Sequence, residues 1–186
     1  MKKTMYIFAL FCCVAVIQVA TPISMIINKE MILKDGTQFR FKTRPVDPYD
    51  AFRGRYVALG IEQNNVVLTG SQKLQRGQMV YVCLGKDENG FAKIDKVTEK
   101  RPKGNAYIKS RVWSIRSKKA YFRLPFNRYY MDEKAAPQAE IAYRKHSRRS
   151  KRDAYITVRV KSGNAVIEEL YISGIPIKEF VKREQK

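Results

Sequence analysis

The chain has 186 residues, 45% of them hydrophobic, and sets 37 Lys and Arg against 17 Asp and Glu for a net charge of +20. One histidine and three cysteines argue against a metal site, a histidine-based triad or a disulfide framework. The positive balance points to an anionic neighbour: phospholipid headgroups, an acidic polysaccharide surface or nucleic acid.

Residues 4–28, TMYIFALFCCVAVIQVATPISMIIN, carry no charged side chain, and Gln18, Thr21 and Ser24 are the main polar interruptions. At about 1.5 Å per helical residue this run outreaches a hydrocarbon core of roughly 30 Å. A cleaved signal peptide has an apolar stretch of only about 7–15 residues and a small-x-small site, which Gln18 and Ala20 before Thr21 do not supply. Residues 1–28 therefore read as an uncleaved single-span anchor, in which Cys12 and Cys13 are small membrane-embedded hydrophobes. Cys83 is then the one thiol left outside the membrane. The span has Lys2 and Lys3 before it and Lys29, Lys34, Arg40, Lys42 and Arg44 after it, so a bare count puts the C-terminal side in the cytoplasm. Long domains translocate largely regardless of charge, and the reading adopted is N-terminus in, domain out.

Residues 29–186 keep +18 of the net +20, because residues 1–28 contribute only Lys2 and Lys3. That length suits one domain burying about 70% of its unfolded surface. The hydrophobic period is two from the start: in TQFRFKT, Phe39 and Phe41 alternate with Gln38, Arg40 and Lys42, the pattern of a half-buried strand. PVDPYDAFRG, residues 45–54, follows as a helical turn. There Asp47 is placed as N-cap, Pro48 as first helical residue, Asp50 as the third position of a capping box and Gly54 as the positive-φ end. The turn delivers RYVALGI, a strand with Val57, Leu59 and Ile61 on one face and Tyr56, Ala58 and Gly60 on the other. This reads as a corner that positions a strand.

Further strands are expected at NVVLT 65–69, QMVYVCL 78–84, FAKIDKV 91–97, AYIKSRVWSI 106–115, AYFRL 120–124, AYITVRV 154–160 and AVIEELYI 165–172, with hairpin turns at KDENG 86–90 and KSGN 161–164. Along 106–115, Tyr107, Lys109, Arg111 and Trp113 fall on one face, which is either a base-stacking platform over a phosphate track or the ordinary solvent face of an amphipathic strand. LPFNRYYMDEKAAPQAE, residues 124–140, is a second concentrated stretch. Phe126, Arg128, Tyr129 and Tyr130 either form a partner surface, since Tyr and Arg anchor interfaces, or cover the core while Asp132 and Glu133 pair with Arg123 and Arg128. One short helix is expected near residues 137–149, with Pro137 in its first turn. His146, inside YRKHSRRSKR, reads as an ordinary surface residue, and that basic run as a solvated linker.

The fold class is thus mainly β, built of antiparallel hairpins, with an N-terminal transmembrane helix and one short helix. VYVCLGKDENGFAKIDKV and AYITVRVKSGNAVIEEL resemble each other, which suggests two similar β halves, 29–124 and 125–186.

PISMI at the end of the span, ILKDGTQFRFKTRPVDPYDAFRGRYVAL, PKGNAYIKSRV and LPFNRYYMDEKAAPQAEIA together resemble the GDYXXLXY proteins, a family of membrane-anchored bacterial proteins of uncharacterised function. Gly54, Tyr56 and Leu59 stand where the name-giving motif has Gly, Tyr and Leu, while Arg55 replaces its acid and Ile61 its final tyrosine. The resemblance implies an envelope protein of the bacterial inner membrane, a companion to a multi-spanning membrane protein. It supplies no catalytic residue, cofactor or metal.

The functional expectation is a non-enzymatic accessory or interaction protein for a membrane partner or an anionic lipid or polysaccharide surface. A polyanion- or nucleic-acid-binding module is the alternative, although an outward-facing domain meets little nucleic acid, which argues against specific readout. The remote alternative is a hydrolase: Ser24-Met25 resembles the serine of membrane signal peptidases, with a lysine such as Lys42 as base. The proline-containing segment and glycine-rich lysine box of those enzymes are missing, leaving Ser24 as a membrane-interface hydroxyl.

Overall fold

The uncharged run forms a helix that does not stop where the charges begin: α1 extends over Lys2–Asp35. Lys29 to Asp35 are mostly good helix formers, and Ile32, 4% exposed, gives the extra turns an apolar foothold on the domain. The stretch Met5–Asp35 has the length and hydropathy to cross a membrane, and its most apolar window buries nothing against the rest of the chain. Gly36 ends the helix, its N–H reaching the Ile32 carbonyl at 2.9 Å. A Cβ there would lie 2.4 Å from that carbonyl oxygen, so the close approach requires glycine. The junction is tied down twice more. Lys161 Nζ meets Asp35 Oδ2 at 2.8 Å, and Arg159 donates to the Gly36 carbonyl at 3.2 Å.

The computed structural model describes residues 2–46, 56–68, 73–104, 106–148 and 152–184. Asp47, Pro48, Asp50 and Gly54, the residues assigned to the turn before the motif strand, lie outside the described residues. After α1 come β1 (Thr37–Arg44), β2 (Tyr56–Ala58), β3 (Gly60–Ile61), β4 (Asn65–Val67), β5 (Met79–Lys86), β6 (Ala92–Thr98), β7 (Tyr107–Arg116), β8 (Lys119–Arg123) and β9 (Arg128–Tyr130). The chain continues through α2 (Ala136–His146), β10 (Ala154–Lys161), β11 (Asn164–Ile172), β12 (Ile175–Pro176) and α3 (Ile177–Glu184). The mainly antiparallel β class is as the period-two pattern requires.

The strands form two sheets, ordered β12-β11-β10-β1-β3 and β4-β8-β7-β5-β6, plus a β2-β9 ribbon. Buried residues of both sheets belong to one hydrophobic cluster, from Phe39 and Phe41 through Val80, Val82 and Ile108 to Ile156, Val158 and Leu170. The two look-alike hairpins are there: β5-β6 and β10-β11, one in each sheet. The division at 124/125 is not the division between sheets, however. β1 pairs with β10 from Thr37↔Val160 to Lys42↔Tyr155, because its Phe39 and Phe41 bury opposite Val158 and Ile156, and the first strand so joins the last hairpin. The β10-β11 turn depends on Gly163, where φ is 85° and a Cβ would lie 2.8 Å from the Tyr107 ring.

Val57, Leu59 and Ile61 are buried on one face as their alternation predicts, but the strand changes partners at Leu59: β2 pairs with β9 and β3 with β1. Two helices close one side. In α2, Pro137 sits in the first turn, and Ala139, Ala142, Tyr143 and His146 form its buried face. The second, α3, was not expected from the sequence. Its Ile177, Phe180 and Val181 have the i, i+3, i+4 spacing of a helix face, and Ile177 and Val181 are buried.

Candidate functional site

The motif strand and the aromatic stretch at 124–130, far apart in sequence, meet in the β2-β9 ribbon. Its register is Tyr56↔Tyr130, Val57↔Tyr129 and Ala58↔Arg128. The inner face of the ribbon is core: Val57 is fully buried, Tyr129 is 7% exposed, and beside them Phe126 packs on Phe41 with ring centres 5.0 Å apart. Tyr129 donates its hydroxyl to Glu169 Oε1, and burial followed by that contact raises its pKa well above the usual tyrosine value.

The outer face is different. Tyr56 and Tyr130 rings lie 5.6 Å apart, and the Arg128 guanidinium carbon is 4.8 Å from the Tyr56 ring centre. Contact with the Tyr130 hydroxyl and then with Tyr56 raises the Arg128 pKa, and Tyr130 remains 64% exposed. Phe126 and Tyr129 thus cover the core, while Arg128 and Tyr130 lie exposed. Arg123 lies 5.6 Å over Trp113 and Arg128 over Tyr56, and of the two acids expected to pair with them Asp132 is taken by a turn, its Oδ1 accepting from the Lys134 N–H at 2.9 Å ahead of α2. A flat guanidinium is satisfied by a ring face where the carboxylate is taken by a turn.

Between this ribbon and β11 lies an open cleft of about 550 Å³. Arg128 and Tyr130 line one lip, Val166 and Ile167 the other, and Lys29 from α1 and Lys178 from α3 add two positive charges. Glu168 also faces it, already engaged by Arg159 at 2.8 Å and by Gln38. Burial works to raise the Glu168 pKa, but those hydrogen bonds outweigh it and leave the carboxyl below its ordinary value. A neighbouring cleft of about 250 Å³ runs from Pro125 and Ala165 to Met25 and Asn28 of α1, so the whole surface adjoins the end of the apolar helix.

A family model described as GDYXXLXY protein matches residues 18–170, a span that takes in both strands of the ribbon. The chain belongs to the GDYXXLXY family. No curated protein and no solved structure matches it. Of the motif positions in this GDYXXLXY protein, Leu59 donates its N–H to the Asn127 carbonyl at 2.9 Å and is 3% exposed, and Ile61 is 7% exposed in β3, an interior site.

The other singled-out residues of the GDYXXLXY protein are placed elsewhere. Ser24 donates its hydroxyl to the Thr21 carbonyl within α1 at 2.7 Å, and Lys42 lies 4.9 Å over the Phe91 ring. On β7, Lys109, Arg111 and Trp113 share the exposed face, but Tyr107 is 7% exposed beneath Gly163 and against Tyr81. Trp113, 54% exposed, has Arg76 and Arg123 each 5.6 Å from its ring. His146 is not a surface residue: it is 6% exposed, its Nδ1 is 2.9 Å from Asp153 Oδ2, and its ring packs edge-on against Phe180. Its spacing from Ala139, Ala142 and Tyr143 puts it on the buried face of α2, a signal the surrounding charges hide. Asp153 also accepts from the Ser173 hydroxyl; burial works to raise its pKa, and the bonds from Ser173 and His146 bring it down. Among the described residues no group of His, Cys, Asp and Glu is arranged to hold a metal ion.

Proposed function

We propose that this GDYXXLXY protein is a non-enzymatic accessory protein of the bacterial inner membrane, anchored by α1 with its domain facing out, and that it engages a membrane-embedded partner through the outer face of the ribbon and the adjoining cleft. The observation that carries this reading is the exposed Arg128 and Tyr130 gathered around the half-buried Tyr56 ring, beside a basic cleft at the base of the apolar helix. Stacked Tyr and Arg are the side chains that anchor interfaces, because they offer large contact area at small entropy cost. The engagement of Ser24 by its own helix and of Lys42 by Phe91 supports an interaction role over Ser/Lys hydrolysis.

Capture of a reproducible multi-spanning protein from detergent-solubilised membranes by the intact chain tests it. Arg128→Glu and Tyr130→Ala should abolish capture with unchanged melting; full capture by both variants overturns the reading. A cytoplasm-only reporter active at Lys186 overturns the outward orientation.

A second reading is favoured by one feature, the face of β7 and β8 where Arg76, Arg111 and Arg123 surround Trp113. Such a face suits a polyanion bound through its charge and not its sequence.

A further inference from the structure

The β10-β11 hairpin runs down the side of the apolar helix. Arg159 holds the Gly36 carbonyl and Lys161 holds Asp35, and beyond them the tip at Gly163 and Asn164 reaches Met25 and Asn28. β7 crosses the same tip, the Lys109 N–H bonding the Gly163 carbonyl at 2.9 Å. Lys29 is the first charge after the uncharged run, and Met25 lies about 6 Å before it along the helix. With α1 across a bilayer, the hairpin tip and Lys109 therefore rest at headgroup depth.

The recess of about 250 Å³ between helix, hairpin and β7 is apolar at Met25, Ile32, Pro125 and Val166, and its charges are Lys29 and Lys109. No carboxylate lines it among the described residues. Both lysines are exposed, and neither ammonium has an ion-pair or hydrogen-bond partner among the described residues. Of the acids on the adjoining elements, Asp35 is held by Lys161 and Glu168 by Arg159, while Glu30 is turned about 100° round the helix from Lys29. The exposed Asn164 adds an amide at the rim. Two unpartnered cations beside an apolar wall at this depth suit an anion that brings its own apolar part.

We infer that this recess holds the headgroup of one anionic phospholipid of the surrounding leaflet, its phosphodiester between Lys29 and Lys109 and its acyl chains descending past Met25 into the bilayer. The volume accommodates a headgroup and not a whole lipid, which agrees with chains that stay among their neighbours. A free phosphate ester would answer the two lysines and leave the apolar wall uncovered. The site rests on α1 spanning the membrane. It leaves the larger cleft at Arg128 and Lys178 to the protein partner, with Lys29 on the border of both.

The full chain in nanodiscs of equal phosphatidylglycerol and phosphatidylcholine, released into mild detergent, reports the lipids it keeps by native mass spectrometry. Phosphatidylglycerol should be retained, one per chain, about tenfold or more over phosphatidylcholine, since each lysine near a headgroup contributes about fivefold. Lys29→Gln with Lys109→Gln should bring the preference near unity at unchanged melting, and Lys29→Arg with Lys109→Arg should keep it. Arg116→Gln with Lys119→Gln removes the same charge from exposed positions on β7 and β8 and should leave the preference intact. Glycerophosphoglycerol, the same headgroup without acyl chains, should not displace the lipid at millimolar concentration. Absence of a preference, a preference that survives loss of the two lysines, equal loss in both pairs of variants, or displacement by glycerophosphoglycerol each overturns the lipid site. Alkaline carbonate washing of native membranes separates the two failures. A chain that stays inserted without lipid preference removes only this site, whereas a chain that washes out removes the spanning helix beneath it.

Discussion

Replacing Tyr143 by phenylalanine isolates a single buried hydroxyl. The ring is 1% exposed on the buried face of α2, and the hydroxyl donates to the Arg44 carbonyl at 2.7 Å, fastening the helix to the end of β1. Phenylalanine keeps the ring and deletes the donor, leaving the carbonyl short of a partner, for a loss of about 1.5 kcal/mol at neutral pH. Burial pushes the Tyr143 hydroxyl up from 10.0 to about 12. Above pH 10 the unfolded chain releases this proton while the folded chain holds it to about pH 12, so wild-type stability falls as pH rises through that window. Two units correspond to about 2.7 kcal/mol, a loss that Tyr143→Phe escapes. The variant should therefore be the less stable protein at pH 7, equal near pH 11, and more stable by about 1 kcal/mol at pH 12. Lysine titration acts on both proteins alike and drops out of the difference. Urea unfolding of the detergent-solubilised full chain, followed by circular dichroism across this range, measures the gap; a gap that stays constant from pH 7 to pH 12 refutes the assignment.

Gly163→Ala should cost about 1–2 kcal/mol or more in thermal unfolding, because φ at 85° and the Tyr107 ring 2.8 Å away both oppose a Cβ. With its pKa below the ordinary 3.8, Asp153 contributes stability above that value which is lost as pH falls through the folded pKa, so Asp153→Asn should lower stability at neutral pH and flatten the acid side of the profile. The full chain should bind heparin and single-stranded DNA without sequence preference, and changing Arg76, Arg111 and Arg123 to Glu should lower the log–log salt slope by about 3; retained sequence preference at about 0.2 M salt would count against delocalised binding.

The strands were legible because the chain alternates with few interruptions: Phe39 and Phe41, or Ile156, Val158 and Val160, sit inside as period two dictates. Pairing was not legible. Nothing local tells β1 to seek β10, since the match is between buried side chains across the whole length of the domain. The turn joining β7 and β8 also gave no signal, because Ser117 and Lys118 adopt φ of 48° and 61° without the usual Asn or Gly. At the candidate site, residue types announced Phe126, Arg128, Tyr129 and Tyr130, and alternation could assign inside and outside. What only the fold supplies is Tyr56 as the neighbour of Arg128, and the cleft that appears where β9 lacks a second partner.

The continuity of α1 into the domain turns the apolar helix into a lever. With Asp35 and Gly36 held by Lys161 and Arg159, the last turn of the apolar helix is tied to the sheet, so a change of heading at that end reaches the domain without an intervening linker. A rod of 34 residues is about 50 Å long, so an ordinary tilt of about 20° sweeps its far end sideways by roughly 17 Å. The turns of the helix between Pro22 and Gly36 therefore share their heading with the sheet they are fastened to.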